Sequence, residues 1–206
     1  MSFPEHTYSS VYEYSKAYCD QIAQAHENID AGELEKAVSV LLSCYEAGHT
    51  LYVCGNGGSA AISNHLVCDH VKGIRNKSNL APRVVSLVNN METLTAIAND
   101  ISYDDVFLYP LMSLGQPGDV LLTISSSGDS ENVFKALKWA QNNGLKVISM
   151  TGFDGGRTAQ MADVNLHVKA NNYGIVEDVH QSLMHILAQF IRQRRMKPND
   201  VEINKF

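Results

Sequence analysis

Five short apolar runs, at 51–54, 84–88, 120–124, 146–150 and 164–168, recur along this chain with helix-length segments between them. Runs this short and this apolar suit strands covered on both faces, and strands that alternate with helices pair in parallel. The intervening segments read as helices from about residue 60, over 91–98 and 104–114, over 132–142, over 158–161 and over about 176–194. The pattern predicts an α/β fold, a three-layer sandwich built on a five-stranded parallel sheet. Ahead of it, 8–27 and 31–47 read as a helical hairpin, broken at Asn28-Ile29-Asp30 and stopped by Gly48. Leu34, Ala37, Val38, Val40, Leu41 and Leu42 make its second helix too apolar for a free surface, so the hairpin packs on the main domain or on another subunit. No linker, repeat or low-complexity stretch divides the chain, and 1–206 reads as a single domain.

In such sheets ligands bind at the carboxyl ends of the strands, and two of those ends stand out. After the run at 120–124 come Ser125-Ser126-Ser127-Gly128-Asp129-Ser130, then Val133, Ala136, Leu137 and Ala140 at amphipathic helical spacing. Gly128 permits a tight turn, and Asp129 and Ser130 are good N-cap residues. The turn places up to four serine hydroxyls beside the free N–H groups of a helix N-terminus, a place to hold a phosphate without a metal or a lysine. Capping alone would need one or two of those serines.

The second end is Gly55-Asn56-Gly57-Gly58-Ser59-Ala60, which fits the loose dinucleotide pattern GxGxxA. That pattern also expects an acidic residue at the end of the second strand, where this chain has Leu87-Val88-Asn89-Asn90. No GxxxxGK[ST] motif occurs, which excludes a nucleotide P-loop. A plain tight turn is the alternative to a ligand loop.

Composition removes other classes. With 45% hydrophobic and 18% charged residues the chain is an ordinary globule, and no stretch is long and apolar enough to span a bilayer. The N-terminal MSFPEHTYSS lacks the basic and then apolar build of a signal peptide, so a cytoplasmic location is expected. A net charge of −6 argues against broad, direct nucleic-acid binding. Cys19, Cys44, Cys54 and Cys68 show no metal-finger spacing and read as reduced, mostly buried thiols.

The two loops together, GNGGS at 55–59 and SSSGDS at 125–130, resemble those of the sugar isomerase (SIS) domain, which hold a phosphosugar. The similarity runs over nearly the whole chain, including the N-terminal hairpin, Ala98-Asn99-Asp100 and the stretch SMTGFDGG at 149–156. Within SIS proteins the chain looks like the phosphoheptose isomerases. The resemblance implies conversion of sedoheptulose 7-phosphate to D-glycero-D-manno-heptose 7-phosphate through an enediol or enediolate, in heptose biosynthesis. It places Asn56, Gly57, Gly58, Ser59, Asn99, Asp100, Ser125, Ser126, Ser127 and Ser130 on substrate-binding positions, with the serine turn as phosphate site. It also implies a homotetramer with shared active sites, residues 1–48 contributing to oligomerisation. Two other readings stay open: an isomerase of another phosphosugar, and a non-catalytic SIS adaptor like the bacterial factors that bind the replication initiator DnaA. Those adaptors tend to carry an alanine in the glycine loop and an arginine in the serine turn, whereas this chain keeps Gly58, Ser127 and His185.

On the helix after the glycine loop, Ile62, Leu66 and Asp69 share a narrow arc with His65 beside them. A carboxylate on the apolar side of a helix is costly unless paired or bound to a metal, so Asp69 either orients the helix through a His–Asp hydrogen bond or serves a site. The last helix buries Val176, Val179, Leu183, Leu187 and Phe190, and carries Glu177, Gln181 and His185 as a separate stripe that is either solvated or functional. By the resemblance, His65 falls on a zinc ligand, Asp69 on a glutamate that is ligand and acid/base, His185 on a metal-binding catalytic histidine, and Glu177 at or near a glutamine that completes the site. The implied metal set is His65, Asp69, Glu177 and His185 around a divalent ion, zinc by its N/O ligands, with Asp69, Glu177 and His185 catalytic. Asp69 is one methylene shorter than the family residue. Eight residues of helix span about 12 Å, so Glu177 and His185 share an ion only if the helix start is irregular or neighbouring subunits contribute. His70 and His180 read as bystanders.

Overall fold

Five strands, β1 Thr50–Gly55, β2 Arg83–Ser86, β3 Val120–Ser125, β4 Lys146–Thr151 and β5 Val164–His167, lie in one all-parallel sheet in the computed structural model, which describes residues 3–203. The outermost positions of the 1–206 reading, 1–2 and 204–206, lie outside the described residues. The strand order is β2-β1-β3-β4-β5. β1 and β3 are buried throughout, as central parallel strands must be, while the edge strands β2 and β5 are only partly covered. Successive residues feed opposite cores: Leu51, Val53, Val120, Leu122 and Ile124 pack on one face, Tyr52, Cys54 and Leu121 on the other.

The first face is covered by α1 Val11–Glu27, α2 Ala31–Glu46, α3 Gly58–Cys68 and a long helix whose bounds are given below; the second by α4 Met91–Asp100, α5 Leu108–Leu114 and α6 Glu131–Asn142. α7 Gly156–Met161 follows β4, α8 Tyr173–Arg195 is the long helix of the first face, and α9 Pro198–Ile203 ends the described chain. The hairpin divides its roles. α2 buries Ala37, Val38, Leu41, Cys44 and Tyr45 against the domain, whereas α1 buries only Ala25.

The α/β sandwich and its five-stranded parallel sheet match the sequence pattern, and the departures have local causes. The helix expected over 104–114 splits into a 3-10 turn, Tyr103–Asp105, and α5. Pro110 has no N–H to donate, so it is accommodated only within the first turn of a helix that starts at Leu108. α3 begins two residues earlier than expected and runs on from Asp69 to Ile74 as a π-helix. α8 starts at Tyr173 because the Asn172 side chain caps it, accepting from the Ile175 N–H at 3.1 Å. α9 opens on Pro198, a good first-turn residue, and was not foreseen. Of the four cysteines only Cys44 and Cys54 are buried, their thiols pushed up to about 12 chiefly by burial; Cys19 and Cys68 are exposed, so "mostly buried" is corrected to half.

The chain leaves β1 toward β2 on one side and returns to β3 on the other. The switch point of the sheet therefore lies between β1 and β3, and the glycine loop and the serine turn flank it at the carboxyl ends.

Candidate active site

The glycine loop is shaped by what presses on it. Gly58, the first residue of α3, has no room for a Cβ because the Glu177 carboxylate from α8 occupies that space. Glu177 thus ends at the N-terminus of α3, where the helix dipole favours a negative charge. Across the switch point, Ser125 Oγ accepts from the Gly128 N–H at 3.1 Å and Ser127 Oγ from the Asp129 N–H at 3.3 Å, which folds the serine turn on itself. Gly128 sits at φ 67°, and a Cβ there would collide with the Gly155 carbonyl. The loop after β4 braces the turn from outside, through Gly152 N–H to Ser126 O at 2.9 Å and Thr158 N–H to Gly128 O at 3.0 Å.

Capping differs from expectation. Ser130 is the N-cap of α6, yet its hydroxyl makes no cap hydrogen bond. Asp129 points away to Arg157, whose backbone N–H and guanidinium, both on Oδ1, hold its carboxyl below the usual range. Ser126 is 5% exposed and its Oγ finds no hydrogen-bond partner. Two of the four hydroxyls therefore stay unengaged by the turn. They line a cavity of about 130 Å³ together with Ser125, Ser127, Asn56, Ser59, Ile124, Tyr173 and Glu177. Water fills about 30 Å³ per molecule, so this space is large enough to take a phosphate group.

A second centre lies farther along α8. His65 on α3, Asp69 at the start of the π turn and His185 on α8 bring one ligand atom each within 4.8 Å of one another. His185 Nδ1 is 2.6 Å from Asp69 Oδ2, and His65 Nε2 is 3.5 Å from Asp69 Oδ1. Gln181 Nε2 lies 3.1 Å from His65 Nδ1 and 3.0 Å from His185 Nε2. The Gln181 amide nitrogen can only donate, so His65 Nδ1 and His185 Nε2 accept from it, and His185 Nδ1–H donates to the Asp69 carboxylate, which His65 Nε2 faces without a hydrogen bond. The cluster opens on a groove of about 340 Å³ between the π turn and α8, lined in part by Asp69, Lys72, Asn76 and His185.

Glu177 is not part of this cluster within the chain. α8 is regular from Tyr173 onward, so Glu177 stays two turns before His185 and lines the serine-turn cavity instead. Asn99 and Asp100 end α4, exposed and paired with each other at 2.7 Å. Tyr103, just beyond them, reaches the glycine loop through Asn56 Oδ1 at 2.9 Å. His70 and His180 are buried, both lowered to about 4 chiefly by desolvation.

The SIS domain family model matches residues 13–152. A phosphoheptose isomerase of Synechocystis sp. is 35% identical over 191 residues, which cover 93% of this chain and 98% of that protein, and one of Shewanella loihica is 36% identical over 180 residues, covering 84% and 90%. The chain belongs to the phosphoheptose isomerase family. The solved phosphoheptose isomerase GmhA from Neisseria gonorrhoeae superposes with a TM-score of 0.81 at 33% identity, covering 89% of this chain and all of that one. A phosphoheptose isomerase from Francisella tularensis gives 0.80 at 28% identity, covering 89% and 96%. The family is one of sugar-phosphate isomerases.

For a phosphoheptose isomerase, the donor set His65, Asp69 and His185 fits a divalent ion. Bonds of about 2.0–2.2 Å place ligand atoms roughly 3 to 4 Å apart; the cluster, all within 4.8 Å, needs only small side-chain movements to close. Asp69 faces both histidines because His65 stands one helical turn before it, at i, i+4, and His185 approaches from α8. Sequence reasoning did not single out Gln181, Tyr103, Tyr173 or Asn132 as members of these networks. Gln181 already lay in the polar stripe of the last helix; the others carry no signal apart from their partners.

Proposed function

We propose that this family member converts sedoheptulose 7-phosphate to D-glycero-D-manno-heptose 7-phosphate in heptose biosynthesis, as a cytoplasmic homotetramer that uses a divalent ion, zinc by its ligands. The observation that carries the reading is the serine-turn cavity. It has room for a phosphate group, a buried Ser126 hydroxyl without a partner and a Ser130 hydroxyl not used for capping, at the start of α6. Among the described residues no helix is long and apolar enough to cross a membrane.

In this reading Ser125, Ser126, Ser127 and Ser130 hold the phosphate, and Asn56, Gly57, Gly58, Ser59, Asn99 and Asp100 bind the rest of the substrate. His65, Asp69 and His185 would hold the ion, with Glu177 joining from a neighbouring copy. When bound, the ion polarises the carbonyl and stabilises charge developing on oxygen. A carboxylate, Glu177 or Asp69, takes the proton from C1 of the ketose, leaving an enediol or enediolate, and the same proton equivalent is returned to C2. Through Nε2, when that nitrogen is not on the ion, His185 relays the hydroxyl proton from O1 to O2, so the aldose forms with no net loss of protons. Its Nδ1 rests on Asp69, which fixes the ring for that exchange. About 12 Å of α8 separates Glu177 from His185, so in this reading the carboxylate joining the ion comes from a neighbouring copy.

The test is turnover of sedoheptulose 7-phosphate by purified, metal-analysed protein with and without a chelator. Chelator-sensitive formation of the aldose phosphate is expected. Asp69→Ala and His185→Ala should each abolish turnover, by at least about 100-fold, while phosphosugar-dependent thermal stabilisation persists. Normal activity in both variants would sink the assignment.

A further inference from the structure

Asn56 in the glycine loop faces Asn132 on α6, and the two amides pair reciprocally. Asn56 Nδ2 donates to Asn132 Oδ1 at 2.9 Å, and Asn132 Nδ2 donates to Asn56 Oδ1 at 3.0 Å. An amide pair of this kind could be drawn with both groups flipped, but one contact removes that freedom. The Val133 backbone N–H, which can only donate, reaches Asn132 Oδ1 at 2.9 Å. Asn132 must therefore present its oxygen to Val133 and its nitrogen to Asn56 Oδ1. Tyr103 adds its hydroxyl proton to the same Asn56 oxygen at 2.9 Å, which fills both lone pairs. The hydrogen-bonding capacity left on the Asn56 side chain is one N–H, and Asn56 lines the serine-turn cavity.

We infer that Asn132, 2% exposed and outside the assigned binding positions, is a positioning residue that makes Asn56 offer an N–H, never its carbonyl oxygen, to the ligand in the cavity. The group it selects is an oxygen that can only accept, such as a phosphate oxygen. The pair also ties the glycine loop to the first turn of α6 across the switch point. This inference rests on the phosphosugar reading of the cavity.

The experiment compares wild type, Asn132→Leu, Asn56→Ala and the double variant, reading KM and kcat for sedoheptulose 7-phosphate and the melting shift caused by inorganic phosphate. Asn132→Leu should raise KM about tenfold and weaken the phosphate shift, with kcat changed less than about threefold, the loss of one well-placed hydrogen bond. Because Asn132 acts through Asn56, adding Asn132→Leu to Asn56→Ala should cost less than about twofold more. An unchanged KM, or losses that multiply in the double variant, overturns the inference. Should Asn132→Leu fail to fold, Asn132→Ala removes the amide without adding bulk or charge. If wild type leaves sedoheptulose 7-phosphate untouched yet is stabilised by inorganic phosphate, the sugar assignment fails. The phosphate shifts of the same four proteins then decide the role of Asn132.

Discussion

Glu177 sets two demands against each other, since a carboxylate on the wall of an anion cavity repels the anion. The N-terminus of α3 offsets part of that charge, yet among the described residues no lysine or arginine lines the cavity to offset the rest. Glu177→Gln should therefore tighten inorganic phosphate binding several-fold, measured by calorimetry, and lower kcat sharply if this carboxylate is the base; weaker phosphate binding would refute the electrostatic part. His180 makes a separate prediction. Its Nε2 lies 3.1 Å from the Thr151 carbonyl, to which it donates, and burial lowers its pKa from 6.5 to about 4. The unfolded chain then binds a proton that the folded chain refuses, so stability present above about pH 6.5 is lost as pH falls toward 4, by up to about 3 kcal/mol. His180→Gln, which can still donate to Thr151 but does not titrate, should reduce the acid slope by about half in urea unfolding series, the rest belonging to His70, likewise lowered to about 4. An unchanged slope would place the acid sensitivity elsewhere. Neither the Gln181 bridge nor the Asn132 lock was legible beforehand, because their partners lie 116 and 76 residues away and only the fold brings them together.

At the scale of elements the strands were the legible part, since an apolar run such as Leu121-Leu122 has few alternatives to a doubly covered strand. The serine turn was legible for the same local reason: its hydroxyls, its glycine and the helix after it are contiguous. What stayed hidden was the switch from α to π geometry at Asp69, which no residue type announces, and the approach of His185 on α8 to the same carboxylate. Also hidden was the regularity of α8, which keeps Glu177 out of that cluster. The turn gives the prediction that belongs here. Gly128→Ala forces an L residue to φ 67°, costing about 1–2 kcal/mol before the clash with Gly155 is counted. Urea unfolding should show at least that loss, and the phosphate-dependent melting shift should vanish with it. A variant that keeps the full shift would mean that the turn is not where phosphate binds.

At the scale of the whole molecule, the N-terminal hairpin leaves one face without a partner. α2 is spent on the domain, and α1 packs on the first-face core through Ala17, Tyr18, Ile22 and Ala25, tied by the Tyr18 hydroxyl to Asp178 at 2.8 Å and by His26 to Ser182, while Val11 and Tyr12 at its start remain 85% and 77% exposed. Two large apolar side chains so exposed at the start of a helix are what a second copy would cover. α8, which α1 grips, is also the helix that carries Glu177 and His185. An interface built on α1 would thus sit beside both centres, and a neighbouring copy could supply the carboxylate that the regular α8 denies to its own cluster. Tyr12→Glu, exposed in the single chain and so harmless to its fold, should shift the protein from the proposed tetramer to smaller species in light scattering. Turnover should fall with the tetramer fraction and recover at high protein concentration if the site is shared. A dissociated variant with full turnover would show instead that each chain closes its own site, and that His65, Asp69 and His185 work without Glu177.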